Sequence, residues 1–365
     1  MALDTVVFCS YDTQVFDELD TERFKESKSQ PKPENSLIKK ERVTTYTHNA
    51  RSYNSSLGHS GAWISFNQHQ VKIECSAKVL GSKYLDGISL NTFEELIHNI
   101  NASADGAYHL NAKKIYDSSH IEKAHNTFNH VMRKGETLKH IEAILVSCLW
   151  AYKKKDDTNI STAQFGTKKE QIQIYDKRLE LIENKSPYLK LISPEIDIAR
   201  FEYKLDSKSK VEEIYDKVIS GRKTNLVYLP EILKDENSKK IQLYGLDSLK
   251  ISKPKPFEES LFNSTIHEMI IKLPPYQIGK SIGLGGAVFM LASTDKDRLK
   301  ILDDALDKKL DKHDKKLSYA YKSKLRREYI ENFENYKKLN SPENYQTYRE
   351  IAKTFLDELK LAIAV

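Results

Sequence analysis

Cysteine is scarce in this sequence: Cys9, Cys75 and Cys148 are the three present among 365 residues, far apart and with no Cys-x-x-Cys pair. That spacing excludes a cysteine-only zinc module and a disulfide framework, and it fits small buried thiols in a reducing compartment. No apolar run approaches the roughly 20 residues that cross a bilayer, so no membrane partner is expected. The opening stretch MALDTVVFCSYDTQ has no basic segment followed by an apolar core and a small-residue cleavage site, which points to a cytoplasmic protein. A nucleotide-phosphate loop is also missing, because the glycines around Gly283, Gly285 and Gly286 lack the GxxxxGK[ST] spacing.

What is present is ordinary in bulk: 39% of residues are hydrophobic and 30% charged, as in soluble globular proteins. Lysine and arginine number 58 against 52 acidic residues, a net charge of +6. So mild an excess permits nucleic-acid binding without establishing it, since clustering on one surface is what matters. Twenty tyrosines are more informative, because a phenol ring both buries area and stacks on bases.

Along the chain, Thr5–Phe8 reads as a first strand, and residues 20–40, with Pro31 and Pro33, as a polar loop excursion. Arg42–Ala50, Ala62–Phe66 and Gln70–Cys75 alternate like strands of an antiparallel meander. Thr92–Ile100 and Glu136–Ala151 show helical spacing. Tyr108–Asp117, Ser161–Phe165, Gln171–Lys177 and Asp197–Leu205 read as further strands. This order predicts an α+β fold: a central antiparallel sheet with helices on one face. Residues 1–205 form that domain. Short helices and a linker containing Pro254 and Pro256 follow over 206–256, and a mostly helical region occupies 257–365.

Three segments carry groups suited to chemistry. In QIQIYDKRLE, strand alternation places Gln171, Gln173, Tyr175 and Lys177 on one face. In EIDIARFEYKL, Ala199, Phe201, Tyr203 and Leu205 share a core face, and Arg200, Glu202 and Lys204 share the opposite one. Such a face is either an exposed edge or the floor of a polar site. In KKIYDSSHIE, Asp117 ends a strand beside His120. Taken singly these have plain readings: a cross-strand aromatic partner, a solvated charged face and a turn aspartate.

Together they resemble the core of rolling-circle replication initiators of the filamentous-phage gene II and small-plasmid types. The matching residues are Phe165-Gly166-Thr167, Ile174-Tyr175-Asp176-Lys177, Glu180 and Arg200-Phe201-Glu202-Tyr203-Lys204. Upstream, Cys75–Ile88 resembles the Ser-Pro-x-Lys-x-x-x-Gly segment of the phage proteins, with Ala77 in place of proline. The resemblance spans roughly residues 57–205 and implies an HUH/RRM-like nicking domain. It implies a divalent-metal-dependent, site-specific single-strand endonuclease and strand transferase that forms a 5′-phosphotyrosine, cytoplasmic in a bacterial host.

Under that resemblance Tyr175 is the nucleophile, and Lys177 either favours its phenolate or stabilises the phosphoryl charge. Asp117 and Glu202 are the first candidates for Mg²⁺ or Mn²⁺ ligands, with Glu180, Glu74 and His120 in reserve. Arg200, Lys204, Lys153, Lys168 and Lys169 contact DNA phosphates. The implied partners are single-stranded or supercoiled origin DNA and a host helicase and polymerase. The histidine-hydrophobic-histidine metal motif of many nicking enzymes is lacking, which weighs against a relaxase or single-strand transposase. A reading of another class is a non-catalytic DNA-binding or structural protein, in which Tyr175 and Glu202 are packing partners.

Overall fold

The structure is a computed structural model that describes residues 2–28, 44–50, 62–150, 155–156, 161–219, 221, 224–251 and 342–365. Its elements in chain order begin with β1 (Ala2–Ser10), β2 (Phe16–Leu19), β3 (Lys25–Lys28), β4 (Thr44–Ala50), β5 (Ala62–Phe66) and β6 (Val71–Ser76). Next come α1 (Phe93–Ala102), β7 (Tyr108–Leu110), α2 (Ala112–Ser118), β8 (Ser119–Arg133), α3 (Thr137–Ser147), β9 (Cys148–Trp150), β10 (Lys155–Asp156) and β11 (Thr162–Thr167). They are followed by β12 (Glu170–Asp176), α4 (Lys177–Glu183), β13 (Ile196–Leu205), α5 (Lys208–Val218), α6 (Leu229–Ile232), α7 (Asp235–Ser248), β14 (Leu249–Ile251) and α8 (Pro342–Ala364).

The chain divides into two compact units: one of residues 1–137, 166–248 and 357–365, the other of 138–165 and 249–356. In the first, strands run in the order β12-β13-β8-β1-β6-β5-β4-β3, every neighbouring pair antiparallel. The expected α+β class with a large antiparallel sheet is therefore present. The second unit holds two antiparallel pairs, β9 with β14 and β10 with β11.

Position in the sheet explains burial. Strand β1 lies between β8 and β6, and its run Val6-Val7-Phe8-Cys9 is buried on both faces, so it is continuously apolar rather than alternating. Strand β6 alternates instead, with Val71, Ile73 and Cys75 buried and Lys72 and Glu74 partly exposed. On β13, Phe201, Tyr203 and Leu205 are buried against one face of the sheet. Helix α7 approaches this face so closely that a Cβ on Gly245 would stand 2.9 Å from Cγ of Tyr203. The 3-10 segment Ala77–Asp86 brings Tyr84 to the side chain of Arg200, on the other face, so helical elements cover both. It ends at Gly87, whose φ of +71° and approach to Ala2, 2.5 Å for an added Cβ, admit no larger residue without a shift.

Several sequence expectations need correction. The strand expected over Tyr108–Asp117 is a three-residue strand followed by helix α2, capped by Asn111, whose side chain accepts from the amide of Lys114. Strand β8, 15 residues long and central, went unseen because its polar residues mask any simple alternation. Lys177 opens helix α4 instead of ending a strand, with Asp176 accepting from the amide of Leu179 as the cap. Helix α7 was also missed. Of the loop excursion, Thr21–Arg23 forms a 3-10 turn capped by Asp20 and Lys25–Lys28 a strand; residues 29–40 lie outside the described residues. So do the Pro254–Pro256 linker and most of the C-terminal region, apart from α8.

Candidate active site on the polar face of the sheet

The antiparallel register sets Tyr175 opposite Arg200, and Gln173 opposite Glu202, on β12 and β13. Across β13, Arg200 lies opposite Asn129 and Glu202 opposite Thr127 of β8. The polar face inferred from alternation is therefore a real surface, but it is sealed: Arg200 and Glu202 are 1% and 2% exposed, and Tyr175 is 9% exposed.

Within it the charges are matched atom by atom. Tyr175 Oη donates to Glu202 Oε1 at 2.5 Å, and Lys204 Nζ holds Glu202 Oε2 at 3.0 Å. Arg200 donates from Nη1 to Asp4 Oδ1 at 2.7 Å and from Nε to Asn129 Oδ1 at 2.8 Å. Its guanidinium carbon stands 5.2 Å from the Tyr84 ring. Lys177 pairs with Glu180 at 2.7 Å, and its ammonium lies 5.1 Å from the Tyr84 ring and 5.5 Å from the Tyr175 ring. A cavity of about 340 Å³ shares Asn129 with this cluster and is also lined by Leu85, Asp86 and Lys239.

Electrostatics follow from burial. Desolvation, reinforced by the charge of Glu202, pushes the Tyr175 phenol well above its ordinary value, with Arg200 opposing. Burial and the charge of Arg200 press the Lys177 ammonium down to about 8, against the pull of Glu180 and Asp4. Burial alone would raise Asp4, but Arg200, Lys177, His125 and Lys204 together hold it below the usual carboxylate range. The phenol is thus kept protonated.

The expected metal ligands do not converge. Asp117 sits on α2, 55% exposed, and pairs with Lys113. Glu180 is engaged by Lys177 and Asn184, and Glu74 faces Lys123 at 3.9 Å from β6. His120 lies on β8 opposite Cys9 of β1. Only Glu202 touches Tyr175, and both its oxygens already have partners. This donor set does not fit a Mg²⁺ or Mn²⁺ ion, which requires several convergent oxygens.

Of the residues expected on DNA, Arg200 is spent internally and Lys204 is tied to Glu202. Lys168 and Lys169 are exposed on the turn before β12, and Lys153 lies outside the described residues. Sequence reading missed Asp4, Tyr84 and Asn129, which complete the cluster from β1, the 3-10 segment and β8. Asp4 sits where β1 breaks register with β8 between Leu3 and Thr5, and no local pattern announces that.

Among the described residues no helix is long and apolar enough to cross a membrane. No family model matches the sequence, and the search of curated proteins found no match.

Proposed function

We propose that the chain cuts and rejoins one strand of DNA through Tyr175, as an initiator of rolling-circle replication. The observation that carries this reading is the 2.5 Å hydrogen bond from the Tyr175 phenol to Glu202, inside a cluster that also holds Lys177 and Arg200. A nucleophile within hydrogen-bond reach of a base, the base itself fixed by a third group, is the arrangement that covalent catalysis requires. Here Lys204 fixes Glu202.

Because burial keeps the phenol protonated, its proton leaves during attack rather than before it. Glu202 accepts that proton as Tyr175 Oη bonds to phosphorus. The bond from phosphorus to the 3′-oxygen breaks, and that oxygen takes a proton from Lys177, whose value near 8 suits an acid working close to neutrality. Arg200 offsets the anionic charge. The products are a 5′-phosphotyrosine and a free 3′-hydroxyl, and reversal rejoins the strand without ATP. Exposed Lys168 and Lys169 supply phosphate contacts at the edge of β12.

One observation favours a second reading. Tyr175 and Arg200 are 9% and 1% exposed, as expected of a structural polar core in a non-catalytic protein. The two separate on incubating the full chain with single-stranded and supercoiled DNA, with and without Mn²⁺. The nickase reading expects nicked circles and a protein–DNA adduct that resists denaturation, both lost in Tyr175→Phe. No nicking by the wild-type chain on any substrate leaves the structural reading, and unchanged nicking by Tyr175→Phe removes Tyr175 as the nucleophile and moves the attack to another residue.

A further inference from the structure

A second polar cluster lies at the other end of β1. Cys9 on β1 is the register partner of His120 on β8, and Glu122 follows two residues along β8. One ligand atom from each residue falls within 4.8 Å of the other two. Five residue steps along the strand lead from Asp4 to Cys9, about 17 Å at the usual rise, so this cluster is distinct from the one around Tyr175.

Its composition is odd for a core. His120 is 1% exposed, and neither ring nitrogen has a hydrogen-bond partner. A buried imidazole with both nitrogens unserved has lost its water without gaining a partner, and native interiors rarely leave such groups idle. The ring face is already used: Tyr11 stacks on it with centroids 4.8 Å apart. That leaves the in-plane nitrogens for a ligand. Cys9 is 1% exposed, with only a long contact of 3.5 Å from its sulfur to Gln70 Oε1. Glu122 gives one oxygen to Lys72 at 2.7 Å, and its side chain is 25% exposed, which opens the cluster to solvent.

We propose that Cys9, His120 and Glu122 bind a zinc ion. A thiolate, a neutral imidazole and a carboxylate form the donor set that zinc accepts, and a tetrahedral ion would keep its fourth position for water. The thiolate selects against Mg²⁺ and Mn²⁺, so this site differs in metal class from the one the sequence suggested. Thiolate and carboxylate charges balance the dication, while Lys72 and Lys208 oppose it. Strands β1 and β8 would be joined where the register shifts between Val7 and Phe8.

The test uses the full chain, stripped with a chelator and dialysed, then titrated with Zn²⁺ against a chromophoric competitor and separately with Co²⁺. One tightly bound ion per chain is expected, with a thiolate-to-cobalt charge-transfer band in the near ultraviolet. His120→Ala and Glu122→Gln should each weaken Zn²⁺ binding by more than the roughly 10–100-fold that outer partners contribute, and Cys75→Ser should leave it intact. Glu122 is partly exposed, so its variant keeps the test open if His120→Ala fails to fold. Absence of the charge-transfer band in the wild-type chain overturns the proposal, as does equal Zn²⁺ affinity in the wild-type and Glu122→Gln chains.

Discussion

The two ends of β1 treat buried polar groups in opposite ways. Around Asp4, each charge in the cluster meets one of opposite sign: Arg200 meets Asp4, Lys204 meets Glu202 and Lys177 meets Glu180. Around Cys9, a buried imidazole has no partner and a carboxylate reaches toward solvent. The first end resembles a finished electrostatic unit that needs nothing added to be stable. The second is incomplete. Complete pairing says that removing a member will be costly, whereas missing pairing says that something else belongs there. Burial alone distinguishes neither case, because Arg200 and Glu202 in one cluster and Cys9 and His120 in the other are all nearly inaccessible.

The contrast is sharpest in stability. Replacing Arg200 with methionine strands Asp4 and leaves Glu202 with a single cation, and should destabilise by about 3–5 kcal/mol in urea denaturation. His120→Leu in chelator-treated protein removes a group that satisfies nothing, so it should be neutral or stabilising by up to about 1 kcal/mol. If both variants lose similar stability, the distinction between the two ends disappears.

Acid provides a smaller effect. Burial would raise Asp206, but His125 and Lys123 hold it at about 2, below its ordinary 3.8. A carboxylate with a depressed folded value contributes stability that is complete above about pH 4 and is lost as pH falls through 2. The contribution is about 1–2 kcal/mol, and Asp206→Asn should flatten the acid limb of a melting-temperature profile.

Lys177 has the opposite sign. Its folded value near 8 lies below 10.5, so the buried ammonium costs stability below pH 8 and the cost fades as pH rises toward 10.5. As the acid for the leaving oxygen, it should also make strand cleavage decline as pH rises through about 8. Lys177→Gln should lower cleavage by roughly 10²–10⁴-fold and abolish that decline. Smallest of all, Asp117→Asn on the exposed face of α2 should change neither melting nor cleavage. Loss of cleavage there would restore Asp117 as a ligand and break the description of the first cluster as self-contained.

Much of the first cluster was legible because strand alternation is local. Arg200, Glu202 and Lys204 had to share a face opposite Phe201 and Tyr203, and they do. Tyr175 could be placed beside them only through the resemblance to replication initiators, and the register then set it opposite Arg200. What sequence could not supply was depth. An Arg-Glu-Lys strand face looks solvated until Tyr84 from a 3-10 segment and Asp4 from a distant strand close over it. Nor does the sequence show that Asp117 and His120, three residues apart, end on a helix and a strand. The Cys9–His120 pairing depends on which strands are neighbours, and neither residue signals it alone.

The account rests on the Tyr175 phenol as the group that becomes bonded to phosphorus. Incubating the full chain with cleavable single-stranded DNA, digesting the adduct with nuclease and protease, and mapping the modified peptide by mass spectrometry tests this directly. The account predicts a nucleotide on Tyr175, within the peptide that precedes Arg178. A nucleotide on Tyr203, Tyr116 or any other tyrosine, or on none, contradicts it.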